Sequence, residues 1–259
     1  MSINQLFNLR GKTALITGGS RGIGRAVTLA LAENGANVII NYRDRGLDAR
    51  AEKTAAEAAA FGARATLWPF DLESDGVGHA LLGFANANKC PPDILVTNAS
   101  LQIRKEWDEI TSDEFARQIN TNLRSTLQLI QAVVPRMRQN RWGRILNIGS
   151  VQQMRPHPQM CVYAASKSAL VNLVKNLAPR LAASGITINN LAPGTIATDR
   201  NEPALADAEY KKTVLARIPL GFVGQPDDCA ALALLLCSDA GRYITGADYL
   251  VDGGMGLCF

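Results

Sequence analysis

No apolar run in this chain is long enough to cross a bilayer. The longest, Cys229–Cys237, has nine residues, whereas a spanning helix needs about 20. Residues Met1 to Arg10 lack a basic stretch followed by an apolar one, so no secretion signal is expected and the chain reads as cytoplasmic. Cysteine is sparse and poorly spaced for a framework. Cys90, Cys161, Cys229, Cys237 and Cys258 are odd in number, scattered, and contain no Cys-x-x-Cys pair. That pattern argues against both a disulfide scaffold and a structural zinc site. Two isolated histidines add no metal-binding cluster, so no metal is expected. Charge of one sign is not concentrated either. The net charge of +4 is spread along the chain, whereas a nucleic-acid footprint would need a clustered basic stripe. Neither a nucleic acid nor a membrane is therefore expected as a partner.

What remains is an ordinary globular composition, 47% apolar and 19% charged over 259 residues. A chain this long can bury a large core without disulfides or metal. Short runs rich in Ile, Val and Leu read as strands buried on both faces. They are Thr13–Thr17, Val38–Asn41, Ala65–Phe70, Ile94–Thr97, Arg144–Ile148, Thr187–Leu191 and Tyr249–Val251. Segments with helical spacing lie between them, among them Gly22–Asn34, Asp48–Ala60, Asp113–Arg138, Val162–Ala183 and Asp227–Ser238. Such alternation predicts right-handed βαβ units and a doubly wound α/β fold of the Rossmann type. Its sheet should be mainly parallel and seven-stranded, with helices on both faces. With no internal repeat or linker, residues 1–259 read as a single domain. The least patterned stretch, Gly194–Gly221, reads as a substrate-side loop, because long connections inside compact domains are usually functional.

The first predicted strand runs directly into Gly18-Gly19-Ser20-Arg21-Gly22-Ile23-Gly24, and a helical pattern follows. Glycines at 18, 22 and 24 let the chain turn sharply and let its backbone approach a pyrophosphate. The helix that starts there aims free N–H groups and a positive dipole end at that phosphate. The second strand ends at Asn41-Tyr42-Arg43. An NAD-preferring site usually has an acidic residue there, which would bond the adenosine 2′-hydroxyl. Here Tyr42 occupies that place, flanked by Arg43, with Arg21 in the glycine loop. Two guanidinium groups and no carboxylate favour the 2′-phosphate of NADP(H), leaving NAD(H) as a weaker alternative.

Tyr163 and Lys167 stand four residues apart, on one face of a predicted helix. A free tyrosine is a poor base near neutrality, with a pKa of about 10. A neighbouring ammonium favours the phenolate and lowers that pKa. Ser150, at the end of the Arg144–Ile148 strand, is placed where an open α/β sheet has its crevice. It can hold a substrate oxygen there or simply cap a turn.

In these motifs the sequence resembles the short-chain dehydrogenase/reductase family, in its compact single-domain branch, from about Leu9 to Gly254. Thr17-Gly18-x-x-x-Gly22-x-Gly24 resembles the cofactor loop. Asp71, followed by Leu72, is similar to the adenine-binding aspartate, and Asn98-Ala99 to the Asn-Ala pair after the fourth strand. Asn122, Ser150, Tyr163 and Lys167 match the catalytic tetrad. Pro193-Gly194-Thr195-Ile196-Ala197-Thr198 resembles the segment that embraces the nicotinamide, and Val251-Asp252-Gly253-Gly254 the C-terminal signature. The resemblance implies a cofactor site made of Thr17, Gly18, Ser20, Arg21, Gly22, Ile23, Gly24, Tyr42, Arg43, Asp71, Leu72, Asn98, Ala99, Ser100, Tyr163, Lys167, Pro193, Gly194, Ile196 and Thr198. It also implies a homotetramer, with the two long helix patterns packed across a two-fold axis. Three positions depart from the family pattern. Ser100 stands where a glycine is usual, Pro179-Arg180 where Arg-Glu is frequent, and Phe222 where an arginine is frequent.

The implied chemistry is hydride transfer between a secondary alcohol and a ketone. Tyr163 would exchange the proton, Ser150 would hold the oxygen, Lys167 would bond the nicotinamide ribose, and Asn122 would position a water. Ser150, Gln152, Arg155 and Tyr163 form the expected substrate wall, within a polar set that also includes Gln102, Arg104, Gln153, His157 and Met160. That wall leans toward a small molecule such as a sugar, polyol or hydroxy acid. A 3-oxoacyl-thioester (acyl-carrier) reductase is the alternative, and a non-catalytic NADP(H) sensor is a rival of another class.

Overall fold

Seven apolar, β-branched segments pair side by side in parallel in a computed structural model that describes residues 2–43, 46 and 48–257. Met1, Asp44, Arg45, Leu47, Cys258 and Phe259 lie outside the described residues. A four-residue helix, α1 (Ile3–Leu6), precedes β1 (Thr13–Thr17), α2 (Gly22–Glu33), β2 (Asn37–Tyr42), α3 (Ala49–Ala60), β3 (Ala65–Pro69) and α4 (Val77–Ala87). After β4 (Ile94–Thr97) come α5 (Ser112–Ile119), α6 (Ser125–Asn140), β5 (Gly143–Ile148), α7 (Cys161–Ala182) and β6 (Ile186–Pro193). The chain closes with α8 (Glu202–Leu205), α9 (Ala208–Leu215), α10 (Pro226–Cys237) and β7 (Asp248–Val251).

The strand order is β3-β2-β1-β4-β5-β6-β7, and every pairing is parallel. The order reverses between β1 and β4. In open α/β sheets a crevice forms at such a point, outside the carboxyl ends of the strands. Successive side chains along a strand face opposite ways, so each central strand feeds two cores. Ala14 and Ile16 pack with Val27 and Leu31 of α2 and Cys229 and Ala233 of α10. Leu15 packs instead with Leu81 of α4, Leu129 and Met137 of α6 and Val174 of α7. Fully burying one such leucine or isoleucine stabilises by about 1.5–3 kcal/mol. The helices are thereby fixed to both faces of the sheet.

Burial on both faces holds for β1, β4, β5 and β6 but fails at the edges. β3 and β7 are mostly half-buried, because an edge strand has a neighbour on one side only. Phe70 falls outside β3, and β6 runs two residues beyond Leu191, to Pro193. The pattern Asp113–Arg138 is not one helix. A π-helical turn, Asn120–Arg124, separates α5 from α6. Helix α4 carries Gly78 and Gly83 and has Gly76 as its N-cap, a composition that weakens its helical signature. Pro179 opens the last turn of α7, which continues to Ala182. The segment expected to be a loop, Gly194–Gly221, contains α8 and α9. Val214 and Ile218 from that segment pack against Val151 and Met255, with Leu205 and Val223 beside them. The segment thus forms a roof anchored to the turn after β5 and to the C-terminal stretch.

Candidate active site

A cleft of about 1270 Å³ opens at the carboxyl ends of the strands. Its first wall is the glycine loop. Gly18 and Gly22 have φ values of +62° and +51°, which side-chain-bearing residues rarely adopt. A Cβ on Gly24 would run into the Gly18 carbonyl and come within 2.5 Å of the Asn98 amide nitrogen. Asn98 donates to the carbonyls of Thr17 (2.9 Å) and Gly18 (3.2 Å). The Thr17 hydroxyl accepts from the backbone N–H of Asn98 (2.9 Å) and Ala99 (3.0 Å). Thr17, Gly24 and Asn98 therefore clamp the loop to the end of β4. Helix α2 begins at Gly22 with no side-chain cap from Arg21. Its first N–H groups have no side-chain acceptor from their N-cap, and a phosphate can fill that role.

Gly18, Ser20, Arg21, Gly22 and Ile23 line the cleft, as do Tyr42, Arg43, Asp71 and Leu72. Arg21 and Arg43 are exposed, and Tyr42 is buried at the end of β2. Asp71 accepts from the Glu73 N–H at 3.0 Å. Asn98, Ala99, Ser100, Pro193, Gly194, Ile196 and Thr198 continue the same wall. This surface fits a dinucleotide. It has a glycine turn, an uncapped helix start and two exposed arginines.

Ser150, Tyr163 and Lys167 share the cleft wall deeper in. The Ser150 hydroxyl caps a 3₁₀ turn, Val151–Gln153, by accepting the Gln152 N–H at 3.2 Å. As the acceptor in that bond it keeps its own proton free to donate. Tyr163 and Lys167, one turn apart on α7, are 7% and 2% exposed. Lys167 Nζ lies 5.8 Å from the centre of the Tyr163 ring and donates to the Ile148 carbonyl at 2.7 Å. That bond ties α7 to the end of β5. Burial, with a contribution from the positive charge of Arg200, pushes the Lys167 ammonium down to a pKa of about 7.

Asn122 stands behind the wall, in the π-helical turn. Such turns recur at functional sites. Its amide donates to the Leu101 carbonyl (2.9 Å) and the Ser166 hydroxyl (3.1 Å) and accepts the Leu101 N–H (2.8 Å). The side chain thus fixes the strand-end loop that carries Ser100.

The substrate wall needs correction. Gln152 lines the cleft, with a buried Oε1 that has no protein partner. Arg155 does not line it. The Arg155 guanidinium donates instead to the carbonyl of Met255, a cleft-lining residue, at 2.8 Å, and the bond ties the turn to the C-terminal segment. Gln153 likewise turns to Asp248, at 2.7 Å.

Two features lay outside the sequence reading. Thr97, Asn147, Asn190 and Asp248 are register partners across β4 to β7. Their side chains form one chain of hydrogen bonds: Thr97 to Asn147 (3.1 Å), Asn147 to Asn190, and Asn190 to Asp248 (2.6 Å). The ladder ties the four strands β4 to β7 to one another, and its signal was polar residues inside otherwise apolar strands. The second feature is a strap. Asp199 pairs with Arg50 at 3.0 Å, while Arg200 donates to the Ser100 hydroxyl (3.1 Å) and carbonyl (2.8 Å). The unusual Ser100 thus has a definite partner. Among the described residues no group of three or more His, Cys, Asp or Glu side chains could hold a metal, and no helix is long and apolar enough to cross a membrane.

A switch-point cleft with a glycine-turn wall and a buried Tyr–Lys pair defines a dinucleotide-dependent oxidoreductase site. The comparisons place the chain more closely. Residues 18–256 match the family described as enoyl-(acyl carrier protein) reductase. The L-rhamnose 1-dehydrogenase (NAD(P)(+)) of Azotobacter vinelandii is 36% identical over 247 residues, 94% of this chain and 96% of that one. A 3-oxoacyl (acyl-carrier-protein) reductase of Agrobacterium tumefaciens, solved with NADP bound, superposes with a TM-score of 0.92 at 36% identity, covering 98% of this chain and 97% of that one. A gluconate 5-dehydrogenase of Burkholderia cenocepacia, solved with NADP and tartrate, gives 0.91 at 34% identity over all of both chains. The chain belongs to the short-chain dehydrogenase/reductase family.

Proposed function

We propose that this protein interconverts a secondary alcohol and a ketone on a sugar, polyol or hydroxy acid, with NADP(H) preferred over NAD(H). The convergence of Ser150, Tyr163 and Lys167 on one cleft wall carries this reading. The nicotinamide, when bound, supplies or accepts the hydride. Thr17, Gly18, Ser20, Gly22, Ile23 and Gly24 shape the phosphate cradle, and Arg21 and Arg43 pair with a 2′-phosphate beside Tyr42. Asp71 and Leu72 hold the adenine end. Asn98, Ala99, Ser100, Pro193, Gly194, Ile196 and Thr198 enclose the nicotinamide end, where Lys167 bonds the ribose.

In reduction the Tyr163 phenol gives its proton to the developing alkoxide, and in oxidation its phenolate takes that proton back. Ser150 donates its free hydroxyl proton to the same oxygen. Such proton transfer commonly contributes ~10²–10⁴-fold. The Asn122 amide protons are committed to Leu101 and Ser166. Any relay water at this residue is therefore held by acceptor oxygens. Gln152 offers its unpartnered Oε1 to a substrate hydroxyl.

Tyr163→Phe is expected to lose turnover by at least ~10²-fold and keep NADPH binding. A panel of sugars, polyols, hydroxy acids and a 3-oxoacyl thioester tests the reading. Wild-type rates in the variant, or turnover confined to the thioester, would refute it. The single catalytic domain acts, in this reading, as a cytoplasmic homotetramer. Phe115 on α5 and Leu127 on α6 are 52% and 38% exposed and leave apolar surface for a two-fold contact. A monomer by light scattering at micromolar concentration would overturn the tetramer.

A further inference from the structure

Five of the described arginines, Arg25, Arg50, Arg117, Arg124 and Arg144, form an ion pair. Among the described arginines that line the cleft only Arg50 does so; Arg21 and Arg43 of the cofactor wall do not, and nor do three others. Arg104 lies in the loop after β4, Arg200 in the strap after β6, and Arg217 just past α9. None of them has an ion pair among the described residues, and neither Arg104 nor Arg217 has a side-chain hydrogen bond there. The carboxylates of the cleft are already engaged. Asp48 accepts from the Arg50 N–H, Asp71 from the Glu73 N–H, Glu73 pairs with Arg117, and Asp199 pairs with Arg50.

The three cations cluster near the reacting groups. His157, also on the cleft wall, is held below the usual histidine range by burial and then by the charges of Arg104 and Arg217. Lys105, next to Arg104, donates its N–H to the Gln159 carbonyl at 3.1 Å, and Ile218, next to Arg217, packs with Val151, so both arginines stand close to the turn that follows Ser150. Arg200 is fixed by its two bonds to Ser100 and is close enough to Lys167 to act on it. Three like charges from distant parts of the chain thus face one cleft, and a cleft lined by one sign of charge concentrates an anionic ligand.

We infer that Arg104, Arg217 and Arg200 form an anion subsite beside Ser150 and Tyr163, which selects a substrate bearing a carboxylate. Ser100 is the positioning residue that holds Arg200 in it. This rests on the reading of the cleft as an alcohol–ketone oxidoreductase site for a polyhydroxylated or hydroxy-acid substrate. Gln102, Gln152, Thr195 and Asn201 supply hydroxyl partners along the same wall. Arg recognises a carboxylate through a planar, bidentate fork, which a lysine cannot reproduce.

The test is calorimetric binding to the NADP⁺-loaded protein, with D-gluconate, the neutral D-glucitol and D-glucose 6-phosphate as probes. D-Gluconate should bind at least ~10-fold more tightly than D-glucitol, the scale of one charge-assisted, bidentate contact. The Arg104→Ala, Arg217→Ala double variant should lose at least ~10-fold on gluconate and less than ~2-fold on glucitol. Both arginines are exposed, and an unchanged NADPH titration would report an intact fold. Ser100→Gly and Arg200→Ala should each weaken gluconate, with losses that do not add in the double variant. Equal gluconate and glucitol affinities, or equal losses on both, would overturn the subsite. Tighter binding of the sugar phosphate would overturn the carboxylate assignment. A second pair separates this inference from the polyhydroxylated reading: reduction of 4-oxopentanoate and 2-pentanone with NADPH. If no sugar derivative binds but 4-oxopentanoate is preferred, and the double variant abolishes that preference, the anion subsite stands and the polyhydroxylated reading falls. If neither pair shows a preference for the anion, the subsite is refuted.

Discussion

Replacing Lys167 by methionine should change how stability depends on pH. Its Nζ is enclosed and donates to the Ile148 carbonyl, and burial followed by Arg200 lowers its pKa from 10.5 to about 7. Each tenfold loss of proton affinity corresponds to about 1.4 kcal/mol, so keeping this cation charged costs the native state about 5 kcal/mol. Below the native pKa both folded and unfolded chains hold the proton, and the penalty is complete. Above it the native lysine is neutral while the unfolded one stays charged up to its ordinary pKa. The unfolded state then binds more protons, so stability rises with pH across that window. Methionine fills a similar volume and does not titrate. The stability of the unmutated protein relative to Lys167→Met should therefore rise by about 2.5 kcal/mol between ~pH 6 and ~pH 9. Urea melts of the cofactor-free proteins at several pH values measure this difference. Arg200→Ala should move the onset of the rise to higher pH, because a neighbouring positive charge is gone. Parallel stability profiles for the unmutated and Lys167→Met proteins would show that the lysine is not charged at a cost, and the reasoning would fail.

Gly24→Ala should remove NADPH binding or destabilise the fold by several kcal/mol. Its Cβ would strike the Gly18 carbonyl and the Asn98 amide, which cannot retreat without opening the clamp on β4. Normal binding and an unchanged melt would show that the loop relaxes freely. Arg43→Ala should weaken NADPH by roughly tenfold, the scale of one charge-assisted contact, and leave NADH nearly unchanged. Fluorescence titration with both cofactors decides this, and an equal loss on both would remove Arg43 from the 2′-phosphate site.

The alternation of apolar strands and helical segments was enough to reveal the sheet and its parallel pairing. Strands β1, β4, β5 and β6 are buried along their whole length because helices cover both faces, so mostly apolar runs such as Ile94–Thr97 stand out in composition. The edges were less legible. β3 and β7 have one neighbour each, and half-buried residues carry no strong pattern. The π-helical turn at Asn120–Arg124 was invisible for a related reason. One extra residue in a hydrogen-bonded turn leaves the apolar spacing on either side helical, so Asp113–Arg138 reads as continuous. Helices α8 and α9 are short and bury little beyond Val214, which gives periodicity nothing to detect.

At the site, the residues that face the cleft were legible and their partners were not. Ser100 stands out as a departure from the family pattern, but its bonds run to Arg200, a hundred positions away, and no local spacing encodes that contact. Gln152 and Arg155 follow the same serine, yet one lines the cleft and the other bonds the Met255 carbonyl. The 3₁₀ turn rotates successive side chains by about a third of a circle, so nearness in sequence does not fix direction. The same turn explains why the two readings of Ser150 do not compete. Capping uses its oxygen as an acceptor for the Gln152 N–H, and that bond orients the hydroxyl without consuming its proton. The proton remains available to a substrate oxygen, so the turn that Ser150 stabilises is also what holds it in place to donate.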